Sequence, residues 1–142
     1  MANRPELECL VYVAPSAITA KHFEGVKKIV EHSVDPITLR EAAVALREGL
    51  VALWEVKGTD DPAIVCTRVI RPDNANVLWL DGLAGNGIIS NAKAIMRDLL
   101  LIAREYECSR VGTATRREAW AAMSDKFGFT QVSATYSMEV DP

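Results

Sequence analysis

Hydrophobic and polar residues alternate along the first part of the chain in patterns typical of one strand and one helix. The run Leu7 to Val13 is rich in β-forming residues and ends at Ala14-Pro15, which predicts a first strand. Hydrophobic residues then recur near helical spacing from Ile18 to Val30, with charged residues between them. This pattern predicts an amphipathic helix, which Asp35-Pro36 closes.

The next segment predicts a second helix and then a β-hairpin. Thr38 and Glu41 form a T-x-x-E capping box ahead of an apolar stretch, and Gly49 follows as a stop signal. The runs Leu50 to Val56 and Ala63 to Ile70 are rich in β-forming residues and are separated by a turn-forming cluster. Two strands joined by such a short turn are expected to pair as a hairpin.

The centre of the chain combines a strand, a glycine-rich turn and the longest predicted helix. The apolar run Asn76 to Leu80 precedes the turn Gly82 to Gly87, and an amphipathic stretch runs from Ile88 to Tyr106. Glycines let the backbone approach an anion, and the following helix offers unpaired N–H groups and the positive end of its dipole. The segment is compatible with phosphate binding and equally with a tight turn of no further function.

The last part of the chain predicts a short strand around Arg110 to Thr115, a short helix over Ala119 to Lys126, and a last strand from Phe129 to Val140. Helices are thus interspersed with the strands of a mixed sheet. The pattern predicts an α/β (α+β) three-layer sandwich with helices on both faces, and residues 1–142 are expected to form one domain.

Composition and charge narrow the classes of function. The formal net charge is −3 and no basic run exceeds two residues, so nucleic acid is not expected as the ligand. Cys9, Cys66 and Cys108 lie far apart in apolar surroundings, without the spacing of a metal site, and are expected to be buried, reduced thiols. His22 and His32 are expected to be exposed. Neither a signal peptide nor a membrane-spanning apolar segment is predicted.

The order of these elements, with a glycine turn before the longest helix, resembles the GNAT family of acyl-CoA N-acyltransferases over nearly the whole chain. In that family the pyrophosphate loop reads Q/R-x-x-G-x-G/A, and the matching positions here are Gly82, Gly85 and Gly87. The resemblance implies acetyl-CoA as the cofactor, bound by these glycines together with Asn86 and Ile88. Glycine replaces the usual Gln or Arg at Gly82, so one contact is lost.

A second family pattern, N-x-x-A-x-x-x-Y-x-K-x-G-F, is matched only in part. Counting back from Gly128-Phe129 places Lys126 on the Lys and Ser124 on the Tyr of the pattern, with Trp120 on the Ala and Arg117 on the Asn. The tyrosine matters because many family members use its hydroxyl to protonate the departing CoA thiolate. The usual catalytic residue is therefore replaced by a shorter one.

The resemblance also implies which residues would carry catalysis. The family often uses a carboxylate on the central strand as general base, and Asp81 is the nearest candidate, with Glu55 on an adjacent strand as a second. Tyr136 on the last strand, or Ser124, would then protonate the thiolate. Either carboxylate could instead be a solvated group at the sheet edge.

A narrower similarity links the chain to the small GNAT-like proteins encoded by tailed bacteriophages. It rests on five short stretches, namely Thr38-Leu-Arg-Glu, Glu48-Gly49 with Leu53-Trp54-Glu55, Glu105-Tyr-Glu-Cys108, Arg117-Glu-Ala-Trp120 and Gly128-Phe129. This similarity implies a protein of the bacterial host cytoplasm or of the virion. Protein partners are then expected, either virion components or further copies of the chain.

Two main hypotheses follow from the resemblance. In the first, which the sequence favours, the altered positions Gly82, Arg117 and Ser124 mark a GNAT-fold protein that no longer catalyses a reaction and serves as a structural or interaction component. In the second, the chain is a working N-acetyltransferase that transfers the acetyl group directly from acetyl-CoA to an amine. A CoA-binding sensor without turnover is a third possibility that the Gly85-x-Gly87 pair allows.

Overall fold

Seven strands in the described part of the chain form one mixed β-sheet, and the helices lie on both of its faces. The computed structural model describes residues 6–33, 37–114, 130–132 and 135–140, with the segments 130–132 and 135–139 described by their backbone. In chain order the elements are β1 (Leu10–Val13), α1 (Ala20–Glu31), α2 (Leu39–Arg47), β2 (Ala52–Val56), β3 (Ile64–Ile70), β4 (Val77–Ala84), α3 (Ala92–Glu105), β5 (Arg110–Ala114), β6 (Thr130–Val132) and β7 (Thr135–Glu139).

The strands lie in the order β1-β2-β3-β4-β5-β7-β6. Only β4 and β5 run parallel, and every other neighbouring pair is antiparallel. The predicted hairpin of β2 and β3 is therefore confirmed. The parallel pair needs a crossover, and α3 supplies it.

Both helices before the hairpin begin with a reciprocal cap. At α2 the Thr38 hydroxyl accepts from the Glu41 N–H and the Glu41 carboxylate accepts from the Thr38 N–H, each at 3.1 Å, as the capping box predicts. At α1, Thr19 and His22 form the same arrangement, with the imidazole in place of the usual carboxylate or amide. These local bonds explain why each helix begins where it does.

Buried apolar side chains form one cluster on each face of the sheet, which confirms the predicted three-layer arrangement. On the α3 face the cluster comprises Cys9, Leu10, Trp54, Val56, Ala63, Val65, Leu78, Leu80, Ile88, Ala92, Ile95, Met96, Leu99, Ile102, Ala103, Cys108 and Val111. On the face of α1 and α2 it comprises Val13, Val26, Leu46, Leu53, Ile64, Cys66 and Ala84. No helix in the described ranges has the length and hydropathy of a bilayer-spanning segment.

The pairing of β3 with β4 contains a β-bulge. Thr67 pairs with Leu80 and the adjacent Cys66 pairs with Gly82, so Asp81 is an extra residue in β4. Beyond the bulge the alternation of faces shifts by one residue. Leu83 therefore packs with the α3 cluster and Ala84 with the α1 and α2 cluster.

Several elements differ from those predicted, and β1 begins at Leu10 rather than at Leu7. The strand predicted to end at Leu80 extends to Ala84 as β4, and the helix predicted to start at Ile88 starts at Ala92. Ile88 is buried in the core although it precedes the helix, since an apolar side chain can pack equally well from a turn. The single strand predicted from Phe129 to Val140 is a pair of antiparallel strands, β6 and β7. The predicted helix Ala119 to Lys126 lies outside the described residues.

The carboxylate of Asp98, in the middle of α3, ties β1 to this helix. It is fully buried and accepts hydrogen bonds from the backbone N–H groups of Glu8 at 3.0 Å, Cys9 at 2.7 Å and Leu10 at 2.8 Å. The Arg97 guanidinium lies 3.3 Å from one carboxylate oxygen. A buried charge is stable only when it is paired or hydrogen-bonded, and here N–H donors and one cation meet that need.

We expect Asp98→Asn to lower the free energy of unfolding by about 3 kcal/mol, because the amide keeps one acceptor and turns its NH₂ group toward N–H donors. Urea denaturation followed by tryptophan fluorescence measures the change. Asp61→Asn is the matched control, since that side chain is 92% exposed and its replacement should leave stability essentially unchanged. Equal stability of both variants would contradict the role given to Asp98.

Candidate functional site

The described pairing of β4 with β5 ends in the middle of the sheet. Their last described pair is Leu80 with Thr113, and the buried Thr113 hydroxyl donates to the Leu80 carbonyl at 2.8 Å. β4 then continues to Ala84, paired with β3 on its other side. Among the described residues no strand pairs with the β5-facing edge of β4 after Leu80. We call this stretch of the β4 edge, which has no strand beside it among the described residues, the opening, because its backbone groups could bond to a ligand.

The opening leads to the turn between β4 and α3, whose backbone requires glycine. Gly85 and Gly87 have φ angles of +109° and +98°. A Cβ at Gly85 would lie 2.8 Å from the Ala63 Cα, so a side chain there would also collide with backbone. The Gly87 carbonyl accepts from the Asn91 N–H at 3.2 Å, the Asn91 Nδ2 at 2.7 Å and the Ser90 hydroxyl at 3.2 Å. These bonds hold the turn closed against the helix.

The amide groups of this turn are available to a ligand. None of the backbone N–H groups of residues 86–90 donates to another residue in the described part of the chain. At the start of α3, Asn91 occupies the N-cap but its side chain makes no cap bond. A helix that begins with unpaired N–H groups and carries its positive dipole end there favours an anion.

The structure brings four of the five predicted cofactor-binding residues together. Gly85, Asn86, Gly87 and Ile88 all lie in the turn, although the Ile88 side chain is buried in the core, which leaves its N–H group for a ligand. Gly82, predicted to begin the turn, lies instead within β4. A Cβ there would come within 2.6 Å of the Ile29 Cγ2, so the close packing of α1 on the strand requires glycine.

Asp81 lies at the bulge, beside the point where β4 and β5 part. Its Oδ1 accepts from the Arg68 Nε at 3.0 Å, whereas its Oδ2 is buried and has no hydrogen-bond partner among the described residues. Burial raises the pKa of the Asp81 carboxyl, and the attraction of the Arg68 guanidinium opposes this only in part. Asp81 is therefore a partly desolvated carboxylate with one unsatisfied oxygen, rather than a solvated group at an edge.

Asp81 also lines a cavity between the sheet and the helices α1 and α2, with a volume of about 180 Å³. Arg68, Trp79 and Ala114 lie with it on the sheet side, and most of the remaining lining is aliphatic. Cys66 contributes a thiol whose pKa is raised to about 12 by burial, so this thiol stays protonated and is not a nucleophile.

Glu55, the second predicted base, belongs to a different part of the molecule. Glu55 in β2 pairs with Ile64 in β3, and Ile64 pairs with Ala84 in β4. Because Asp81 lies three residues before Ala84, the strand spacing and rise place Glu55 on the order of 13 Å from Asp81. Its Oε2 is 2.9 Å from the His22 Nε2. The structure therefore does not bring the two predicted carboxylates into one site.

The prediction that His22 is exposed is wrong, because its side chain is buried between α1 and the sheet. Its Nδ1 accepts from the Thr19 N–H at 2.9 Å, so the ring proton is on Nε2 and is donated to Glu55. Both ring nitrogens are thus occupied. No group of three or more His, Cys, Asp or Glu side chains suited to a metal ion occurs among the described residues.

Of the two predicted proton donors, only Tyr136 lies in the described part of the chain, and only its backbone is described. The backbone of Tyr136 pairs with Thr113, one strand away from the end of the β4–β5 pairing. Ser124 lies outside the described residues, as do Arg117, Trp120 and Gly128-Phe129. For these positions the roles that the family resemblance implies stay predictions.

Sequence reasoning missed Arg68 as the partner of Asp81. The two residues are 13 positions apart and meet only because β3 and β4 pair with Arg68 opposite Trp79. Asp98 was also missed, although it interrupts the apolar face formed by Ile95, Leu99 and Ile102, which is a detectable signal for a buried acid.

Comparison with known proteins places the fold. No protein-family model matches the chain. No curated protein sequence matches it either. The ribosomal-protein-S18-alanine N-acetyltransferase from Escherichia coli has a similar structure, with a TM-score of 0.60, 10% identity, and coverage of 94% of this chain and 95% of that one.

Two further solved structures agree over nearly the whole length of both chains. A GNAT-family acetyltransferase from Listeria monocytogenes has a TM-score of 0.58 and 14% identity, covering 97% of this chain and 98% of its own. The ribosomal L7/L12 alpha-N-protein acetyltransferase RimL in complex with coenzyme A has a TM-score of 0.53 and 13% identity, with coverage of 97% and 98%. The chain therefore has the fold of the GNAT N-acetyltransferases.

Proposed function

We propose that the chain is an acetyl-CoA-dependent N-acetyltransferase that transfers the acetyl group directly to an amine. The observation that carries this proposal is the glycine turn after β4, where the N–H groups of residues 86–90 have no partner among the described residues, next to a β4 edge whose described pairing with β5 ends at Leu80. An acyl-CoA ligand needs a long slot. One end of this slot must supply hydrogen-bond donors to the pyrophosphate, and the other end must hold the thioester near the acceptor. The similar fold of an acetyltransferase in complex with coenzyme A supports the same use of this region.

The turn would bind the pyrophosphate of acetyl-CoA through its backbone. The N–H groups from Asn86 to Ser90 are donors without a described partner, and Gly85 and Gly87 leave the backbone open to close approach. These donors are backbone groups. The replacement of the family's Gln or Arg by Gly82 therefore removes one side-chain contact and leaves the backbone donors of the turn unchanged.

Asp81 would act as general base. In the reaction the amine nitrogen attacks the thioester carbonyl carbon, a C–N bond forms and the C–S bond breaks. The nitrogen loses a proton to the Asp81 carboxylate, and the CoA thiolate takes up a proton. A carboxylate that is partly desolvated and has a raised pKa is a stronger base than a solvated one. Arg68 holds one oxygen of this carboxylate and leaves the other for the proton.

Tyr136 and Ser124 remain the predicted donors of the proton to the thiolate. The pairing of Tyr136 with Thr113 puts its backbone near the level at which β4 and β5 part, which supports Tyr136 as the first choice. The substitution of Ser124 for the family's tyrosine favours a second hypothesis, a non-catalytic structural or interaction protein. No comparison supports a role in a phage particle.

Calorimetric titration with acetyl-CoA and with free CoA decides between these two hypotheses. The enzyme proposal expects micromolar binding of both ligands, because the turn contacts the part they share. If neither heat nor a thermal shift appears at millimolar ligand, the acetyltransferase proposal fails, and the search turns to self-association and to protein partners.

Gly87→Ala should weaken CoA binding by about tenfold or more, since a residue with a side chain strains a φ of +98° and shifts the donor N–H groups. Its matched control is Gly49→Ala, at a φ of +75° with no atom near the new Cβ and outside the turn. Both variants should lose similar stability, and only the first should lose affinity. Equal affinities would remove the turn from the binding site.

Asp81→Asn should change how stability depends on pH. The folded pKa of Asp81 is raised, so the folded state binds this proton more tightly than the unfolded state. The resulting stabilisation is present at low pH and is lost as the pH rises through the folded pKa. Wild type should thus gain stability relative to the variant between pH 7 and about pH 4 in urea titrations.

A stability difference between these two proteins that is constant over this range would contradict the environment assigned to Asp81. Asp61→Asn, in an exposed position, provides the reference for an ordinary carboxyl. Once an acceptor amine is known, the acid limb of the plot of rate against pH should lie above the pKa of an ordinary aspartate. Asp81→Asn should lower kcat by about 10²-fold or more without changing the affinity for acetyl-CoA.

A further inference from the structure

The side chains that line the cavity beside Asp81 determine which kind of ligand it can bind. It lies between α1, α2 and the sheet, and its volume is about 180 Å³. The walls are largely aliphatic, with Ile29 and Val30 from α1, Ala45 and Leu46 from α2, and Val51 from the segment before β2. These aliphatic walls offer no hydrogen bonds and favour a hydrocarbon group, although Ser33 and Trp79 also line the cavity.

The two charged side chains described in the lining of this cavity lie together on its sheet side. Among the described residues that line it, Asp81 is the only carboxylate and Arg68 the only cation. Arg68 is bound to Oδ1, so the other oxygen, Oδ2, is left buried without a donor in the described part of the chain. A buried acceptor without a donor carries a desolvation cost, which a donor on a ligand would remove once the carboxylate turns this inaccessible oxygen toward the cavity.

We propose that the acceptor substrate is a compact apolar primary amine, with its ammonium group hydrogen-bonded to Asp81 and its hydrocarbon group in the cavity between α1, α2 and the sheet. This inference rests on the proposed function and names the substrate class for the same site. Asp81 lies next to the point where β4 and β5 part, so a nitrogen held there is beside the opening that would contain the thioester.

Size and charge define the class more closely. A dry apolar cavity of about 150 Å³ is known to accept benzene, so a volume of about 180 Å³ suits a phenyl or a branched alkyl group of similar size. A second ammonium group, as in a diamine or polyamine, would have to enter the aliphatic walls without a partner. Monoamines with a hydrocarbon group are therefore preferred to polyamines.

Binding can be measured without acetyl-CoA, so the test does not depend on turnover. We expect benzylamine to bind at least about tenfold more tightly than benzyl alcohol, which lacks the charge, and than putrescine, which carries two. Ligand-observed NMR or calorimetry at neutral pH gives the three affinities. If benzyl alcohol or putrescine binds as tightly as benzylamine, or if no affinity for benzylamine is found, the inference is overturned.

Two variants assign the binding to this cavity. Ala45→Leu adds volume inside it and should weaken benzylamine binding by about tenfold or more, whereas Ala43→Leu on the same helix, at a position that does not line it, should not. Asp81→Asn should weaken benzylamine by about tenfold and leave benzyl alcohol unchanged. Thermal melting identifies any variant that fails to fold, and the Asp81 variant then carries the test without the helix substitutions.

The outcomes separate this inference from the proposed function. If acetyl-CoA binds and putrescine or a peptide amine is acetylated while benzylamine is neither bound nor acetylated, the enzyme proposal stands and the substrate class is wrong. If benzylamine binds as expected but acetyl-CoA does not, the cavity is a site for an amine and the acetyltransferase proposal fails. N-acetylbenzylamine, detected by mass spectrometry, supports both.

Discussion

A single extra residue in β4 controls the geometry around the candidate site. Because Asp81 is inserted opposite the bond between Cys66 and Thr67, the second half of β4 is turned by one residue relative to the first half. Gly82 then faces α1, where only the absence of a side chain lets Ile29 pack. Leu83 and Ala84 join the clusters on opposite faces as a result. The bulge thus couples the packing of α1 to the position at which β4 leaves β5.

The two faces of the sheet have different tasks in the proposed enzyme. The α3 face contains the larger apolar cluster, and the buried side chain of Ile88 anchors the glycine turn to it. The face of α1 and α2 is less completely filled and contains the cavity that Asp81 and Trp79 line. An acyl donor bound along the turn and an acceptor bound in the cavity would meet where the strands part, which is the requirement for direct transfer.

In the part of the chain that the structure describes, every buried side-chain nitrogen or oxygen has a partner except one oxygen of Asp81. Asp98 is satisfied by three backbone N–H groups, and His22 uses both ring nitrogens, one for the cap of α1 and one for Glu55. These networks hold β1 and α1 in place. In contrast, Asp81 keeps one oxygen without a partner among the described residues. An unsatisfied buried acceptor is costly for stability, and such costs are typically retained at functional sites.

The sequence by itself determined those features that depend on near neighbours in the chain. The capping box of Thr38 and Glu41, the hairpin of β2 and β3, and the glycine turn are set by local backbone preference, so their patterns were sufficient. The alternation of strands and helices likewise predicted the layered fold. Boundaries failed where apolar residues, such as Ile88, pack into the core from a turn.

Only the tertiary structure distinguished the surroundings of two chemically equivalent residues. Asp81 and Glu55 are both acidic residues on strands, but strand register places one at the bulge beside Arg68 and the other beside His22. The close packing at Gly82, the burial of His22 and the hydrogen bonds of Asp98 to Glu8, Cys9 and Leu10 likewise depend on partners far away in sequence. A sequence pattern records residue type and spacing, whereas burial and pairing arise when distant segments meet, and these set the chemistry of each side chain.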